Sequence, residues 1–194
     1  MATTAREQAK LDRRDALVRA ASALFAQRGY ASVSLEEIGA AVGVSGPAVY
    51  RHFAGKQALL GAVLVGVSEG LVQDGRRVCA DVADPQERMA ALVRFHVGFA
   101  LREPDVIRVQ DRDVAHLGEE DRQRVRALQR SYIELWVDAL AALVDAEPAE
   151  LRLRVQACFG LINSTPHSTR AAERSSARTG RVLSAMALAA LRAP

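Results

Sequence analysis

The chain has 194 residues, 49% of them hydrophobic, and carries a net charge of +3. That length and apolar content suffice for a buried core in one large domain or two smaller ones, and no run of 18 apolar residues predicts a membrane span. Only two cysteines occur, Cys79 and Cys158, far apart and outside any CxxC spacing. They exclude a disulfide framework and a Cys-based zinc site. The N-terminus lacks an apolar signal core, which places the chain in the cytoplasm by expectation. The charge is unevenly spread. Residues 1–56 hold eight basic and five acidic side chains, so the whole excess of +3 lies in the first quarter. Such a bias points to a polyanionic partner there, although basic surfaces are often only solvated.

In chain order, Leu11, Leu17, Ala21, Leu24, Phe25 and Arg28 mark a first helix that Gly29 stops. "SLEE" at 34–37 is a capping box that opens a short helix from about 35 to 42. Gly43 ends it, and Ser45 is placed to cap a second short helix over about 46–53. Leu59, Leu60, Val63, Leu64, Val67 and Leu71 predict a longer helix from about 56 to 78. "DPQE" at 84–87 combines an Asp cap, Pro in the first turn and a following Glu. Pro104 opens another helix, Gly118 precedes one over about 119–145, and Pro148 starts one that runs to about Ser164, with Pro166 as its stop. Residues 167–180 read as a polar loop or frayed start before a last helix over 181–192. No alternating strand pattern or repeat is present, so the expected fold is all-α with about nine helices.

Two short helices separated by "GVS" predict a helix-turn-helix. Counting from Leu35, apolar residues fall at Ile38, Val42, Val44 and Val49, a small Gly39 lies where the helices meet, and Gly43 suits the turn. On the second helix, Val49 and Phe53 point inward while Pro47, Ala48 and Arg51 point away, with Tyr50 and His52 on the flanks. That is the register of a recognition helix, in which exposed residues read bases and flanking groups hold phosphates. Arg51 is suited to guanine and the Ala48 methyl to thymine. Lys56 opposes the dipole at a helix N-terminus with no local gain visible in the sequence, which suggests a phosphate ligand. Taken singly, Tyr50 reads as a half-buried aromatic and His52 as a surface histidine; it is the register of the segment that makes them DNA contacts.

The stretch "ALFAQRGYASVSLEEIGAAVGVSGPAVYRHFAGKQALLGAV", residues 23–63, resembles the tetracycline-repressor (TetR) family of transcriptional regulators. The matching elements are Gly29-Tyr30, Ile38, "GVS", Tyr50, His52-Phe53 and Lys56-x-x-Leu59-Leu60. The resemblance implies an N-terminal three-helix DNA-binding domain, residues 1–56, and a larger helical effector-binding and dimerisation domain, residues 57–194. It implies a ligand-responsive repressor that binds a palindromic operator in double-stranded DNA as a homodimer, without a cofactor. By position, Ser34, Ser45, Gly46, Pro47, Ala48, Tyr50, Arg51, His52 and Lys56 form the DNA-contact set. Two positions depart from the family: Val33 stands where Thr is frequent, and Ala48 where Thr or Ser is common.

Beyond residue 85 the candidate effector residues are Phe95, His96, Phe99, Gln110, Arg112, Trp136, Asn163 and His167, an apolar lining with a few polar groups. Each aromatic also reads as plain core. "REPDVIRVQDRD" resembles family members linked to lipid or acyl-CoA metabolism, so a hydrophobic or acyl-type effector is expected, with Arg108 and Arg112 facing its anionic group. The alternative for these arginines is pairing with Asp105 and Asp111. The apolar faces of 148–165 and 181–192 are assigned to the dimer.

The same residues bear on rival functions. "GVSGP" lacks the final Gly and the preceding strand of a nucleophile elbow, and "GK" at 55–56 lacks the first Gly and the Ser/Thr of a P-loop. Asp113 and His116 at i, i+3 could begin a metal site in a helical enzyme, but two ligands do not complete one. A protein–protein adaptor would need no recognition register.

Overall fold

The computed structural model describes residues 4–193. Among them every regular element is helical: α1 Ala5–Arg28, α2 Leu35–Ala41, α3 Gly46–Val49, α4 Lys56–Cys79, α5 Pro85–Arg102, α6 Pro104–Asp113, a 3-10 turn Val114–His116, α7 Glu119–Ala141, α8 Pro148–Ser168, α9 Ala171–Arg174 and α10 Ala177–Leu191. The all-α expectation holds, with ten α-helices among the described residues rather than about nine; the extra one is α9, inside the stretch that reads as a polar loop or frayed start.

Local chemistry sets most of the boundaries. Ser34 and Glu37 form the capping box of α2, and the Asp84 side chain accepts from the Glu87 N–H at the start of α5. The start of α1 lies earlier than Leu11, because Thr4 and Glu7 form a second capping box. Leu11 itself is half-exposed and contributes nothing to the core. Residue 166 does not stop α8, which continues to Ser168; hydroxyls of Ser164 and Thr165 bond back to the Leu161 carbonyl and that of Thr169 to the Thr165 carbonyl. At the other extreme α7 ends four residues early, where the Leu143 N–H tightens onto the Leu140 carbonyl.

The chain forms two compact units. One comprises the chain up to Val67 together with Asp105–Val125; the other comprises Ser68–Pro104 and the chain from Arg126 onward. Inside the first, Leu17, Ala21 and Phe25 of α1 pack with Val33, Ile38, Val49, Phe53, Leu59, Leu60, Val63, Leu64 and, from after α5, Val109, Leu117 and Val125. By length and composition α4 could cross a bilayer. Its Leu59, Leu60, Val63 and Leu64 are instead buried in this core, and burying each such side chain stabilises the fold by about 1.5–3 kcal/mol. Inside the second unit α10 packs on α5 and α8, and α5 packs on α8.

Candidate functional site

The helix-turn-helix is built around two glycines. A Cβ on Gly39 would lie 2.8 Å from the Val44 carbonyl oxygen and 3.0 Å from Val49 Cγ2, so only hydrogen fits where α2 meets the following turn. Gly43 has φ +71°, a left-handed conformation that other residues adopt at a cost. The turn is closed by the Val44 N–H on the Gly39 carbonyl at 2.9 Å. Val49 is fully buried and Phe53 nearly so, as the register requires, while Pro47, Tyr50 and Arg51 are exposed and Ala48 and His52 half-buried. α3 proper is a single turn; beyond it the Phe53 N–H still bonds the Val49 carbonyl.

Two clefts flank this segment. One is lined by Ala31–Glu37 with Tyr50 and Lys56, and so brings Ser34, Tyr50 and Lys56 together. The other, of about 580 Å3, is lined by Arg6, Glu7, Ala9, Lys10, Arg13, Arg51 and His52. Its α1 residues are not among the candidates that the sequence suggests. The signal that could have found them is the Thr4-x-x-Glu7 box, which carries α1 back to residue 5 and places Arg6, Lys10 and Arg13 on one helical face.

Three candidate DNA-binding residues differ in detail from expectation. Ser45 sits at the N-cap position of α3 but its side chain makes no capping bond. Gly46 is buried rather than presented to solvent, because a Cβ there would lie 3.1 Å from Glu36 Cγ. Ser34 is engaged as the α2 cap, as the capping box predicts, accepting from the Glu37 N–H at 3.2 Å. Lys56 does have a local role: its ammonium donates to the carbonyls of Tyr30 at 2.9 Å, Ala31 at 3.3 Å and Val33 at 2.8 Å, and lies 4.5 Å from the Tyr30 ring centroid. The cation therefore closes the loop between α1 and α2. Val33, one of the two departures from the family pattern, is buried there with its carbonyl held by Lys56.

Charge is arranged unevenly around the segment. The Glu37 carboxyl is held down to about 2, first by the Ser34 N–H it accepts and then by Arg28, whose guanidinium lies 2.7 Å away. His52 is pushed below the ordinary histidine range by burial and then by Lys10, Arg13, Arg14 and Arg51; its Nδ1 is buried without a hydrogen-bond partner.

The candidate effector residues divide between the two units. His96, Phe99, Trp136 and Asn163 come together in the second unit, with Phe95 half-buried on the same helix as His96. His96 Nε2 lies 3.1 Å from Asn163 Oδ1, and its Nδ1 lies 3.4 Å from the Tyr132 hydroxyl. A neutral ring protonated at Nε2 satisfies both, donating to Asn163 and accepting from Tyr132. Tyr132 and Phe159, absent from the candidate set, complete the cluster: their rings stack at 5.6 Å, and Phe159 lies 4.7 Å from His96. Gln110 and Arg112 instead belong to the first unit. Arg112 is committed to the fold, pairing with the buried Asp113 at 3.0 Å and donating to the Phe25 carbonyl at the end of α1. Arg108 pairs with Asp105 at 3.2 Å. His167 is exposed near the end of α8. Asp113 and His116 do not form a metal pair: the aspartate faces Arg112, and the His116 ring stacks on Tyr30 at 4.9 Å.

Burial holds His96 down at about 4, with the Asn163 bond opposing weakly. The folded protein therefore binds fewer protons here than the unfolded chain once the pH falls below the unfolded histidine value of about 6.5. Thermal stability is expected to decline between about pH 6.5 and 4 through this residue and to level off below, and His96→Gln is expected to flatten that part of a melting-temperature profile.

Sequence and structure comparisons agree with this architecture. Residues 17–63 match the model of the bacterial regulatory proteins of the tetR family, and residues 82–167 match a tetracyclin repressor-like C-terminal domain. The HTH-type transcriptional repressor KstR2 of Rhodococcus jostii is 26% identical over 157 residues, covering 80% of this chain and 77% of its own. Other curated relatives match over less of their length, from 40% to 64%. A TetR-family transcriptional regulator from Bordetella parapertussis superposes with a TM-score of 0.81 at 25% identity, covering 92% of this chain and 93% of that one. AibR, solved with isovaleryl coenzyme A and operator DNA, shares the fold with a TM-score of 0.75 at 23% identity, over 94% of this chain and 99% of that one. With both halves of the architecture matched and the helix-turn-helix built as described, this chain belongs to the TetR family of bacterial transcriptional regulators and is not an enzyme.

Proposed function

We propose that the chain is a repressor that binds a palindromic operator as a homodimer in the cytoplasm and is released by a small hydrophobic or acyl-type effector. Residues 1–56 would supply the DNA-binding domain and 57–194 the effector and dimer functions. The observation that carries the reading is the recognition segment itself: Pro47, Tyr50 and Arg51 are solvent-exposed on a frame anchored by buried Val49 and Phe53, beside a cleft rich in cations. Arg51 reads a base edge, Pro47 and Ala48 meet the groove floor, and Ser34, Ser45, Tyr50 and His52 hold the backbone. Gly46 and Lys56 serve the site from behind, by close packing and by fixing the loop before α2.

The dimer reading is supported by Leu153 of α8 and by Val182 and Met186 of α10, which are 65%, 50% and 51% exposed. Val182 and Met186 stand one helical turn apart, as a partner helix needs. Paired protomers place two recognition helices an integral number of DNA turns apart, hence the palindrome. An apolar effector is supported by the His96, Phe99, Tyr132, Trp136 and Phe159 rings, with Asn163 and His96 as its polar groups. The acyl-CoA bound to AibR supports the same class. Release follows if the effector binds more tightly to a conformer whose DNA-binding heads are out of register, and it shifts the population only as far as those affinities differ. α4 and α7 each contribute residues to both compact units, so both are covalent routes for that change.

The test is a gel-shift titration against a duplex selected by the protein from a random pool, combined with light scattering. Expected are a retarded complex on a palindromic sequence, weakening steeply with salt as counterions are released, and a dimer that Leu153→Glu with Met186→Glu converts to monomer. Salt-insensitive or absent DNA binding would sink the repressor reading, and a monomeric wild type would sink the dimer.

A further inference from the structure

The first three turns of α1 have no core to cover. Every residue from Thr4 to Asp15 is exposed, and the first buried side chain is Leu17. Isolated helical turns are costly to nucleate in water, yet these are held in place. The Thr4–Glu7 box starts the helix, Arg13 donates to the Val42 carbonyl at the end of α2 at 3.0 Å, and the Arg14 guanidinium lies 5.0 Å from the Phe53 ring centroid. What is held rigid is a row of cations. Arg6, Lys10 and Arg13 stand at i, i+4 and i+7 and line the cleft that Arg51 and His52 close from the recognition segment. Glu7 is the one acid in the lining, and its carboxylate accepts from the Thr4 N–H and hydroxyl at 2.9 and 2.8 Å. Asp12 and Asp15 fall on the far side of the helix by rotation. The groups that bear on His52 are therefore Lys10, Arg13 and Arg14 of α1, with Glu7 at the cleft edge, and Arg51 beside it.

We propose that this cleft seats a phosphate of the DNA backbone on Arg6, Lys10 and Arg13 of α1, and that His52 takes up a proton as the phosphate enters. The inference rests on the DNA-binding reading above and adds to it α1 as a second point of attachment and a proton-linked step. A duplex backbone is the occupant because the cleft is continuous with Arg51, the base-reading candidate, so one ligand reaches both. In the free protein burial and the surrounding cations favour the neutral form of His52. A phosphate reverses the sign of the local field and favours the imidazolium. Binding then consumes a proton, and affinity rises as the pH falls through the bound-state value and levels off below the free-state value.

The experiment is fluorescence anisotropy of the full-length protein on the selected duplex and on a scrambled one, across salt and between pH 8 and pH 5.5. Arg6→Gln and Lys10→Gln are expected to weaken both duplexes alike. Each is expected to lower the slope of log affinity against log salt by about one for every phosphate no longer neutralised. Wild-type affinity is expected to rise as the pH falls, and His52→Gln to abolish that rise, with helix content by circular dichroism unchanged. Unaltered salt slopes in the α1 variants, or a pH profile that survives in His52→Gln, would overturn the inference while wild-type binding keeps the repressor reading intact. A wild type that binds neither duplex overturns both.

Discussion

Replacement of Arg51 by Ala is expected to remove sequence preference at one base pair of each half-site, at a cost of about 1–3 kcal/mol per half-site. In a dimer both half-sites are affected, which makes this the largest single effect on operator affinity. Arg51 is exposed, and the core beneath it is made by Val49 and Phe53, so the variant should melt like the wild type. The measurement is a competition between the selected duplex and single-base variants of it. If Arg51 reads a base, the Ala variant no longer distinguishes one position while its salt slope falls only slightly. If Arg51 touches phosphate alone, all sequences weaken together and the discrimination profile keeps its shape.

Replacement of Lys56 by Met is expected to destabilise the first compact unit by about 3 kcal/mol, since the carbonyls of Tyr30, Ala31 and Val33 would be deprived of a charged donor at once. Met keeps most of the apolar stem, so the effect reports on the ammonium. Arg is expected to restore little, because its planar fork does not converge on three carbonyls around one point. Thermal denaturation by circular dichroism gives the magnitude. Trp136, the single tryptophan, is fully buried in the second unit and reports whether that unit is affected. Unchanged stability with a reduced salt slope on DNA would return Lys56 to the role of phosphate ligand that its position in the sequence suggests.

The two residues are legible in the sequence to different degrees. Arg51 follows from a short-range argument: once Val49 and Phe53 are placed inward, rotation about a helix axis puts Arg51 outward, and no distant residue is needed. Lys56 has the opposite character. Its carbonyl partners lie 23 to 26 residues earlier in the chain, and no pattern near residue 56 reveals them. The same distinction separates His96 from Arg112. Both read as pocket candidates, but His96 meets Asn163, a residue 67 positions away that is itself a candidate, whereas Arg112 folds back 87 positions onto the Phe25 carbonyl. The Thr4–Glu7 capping box is of the short-range kind and is readable, yet without it the cations of α1 have no common face.

Taken alone, then, the amino-acid sequence determined what depends on neighbours within a turn or two: the all-α character, the helix caps at Ser34 and Asp84, the Gly39 and Gly43 geometry and the inward and outward faces of the recognition segment. These follow from backbone sterics and helical periodicity, which act locally. Tertiary structure decided which polar groups were already spoken for. It gave Lys56 and Arg112 to carbonyls at loop and helix ends, buried Gly46 against Glu36, drew Tyr132 and Phe159 around His96, and set Arg6, Lys10 and Arg13 beside His52. A charged side chain has reach enough to choose among many partners, and the choice is made only when folding brings distant backbone and charge within about 3 Å, the range in which a hydrogen bond has value.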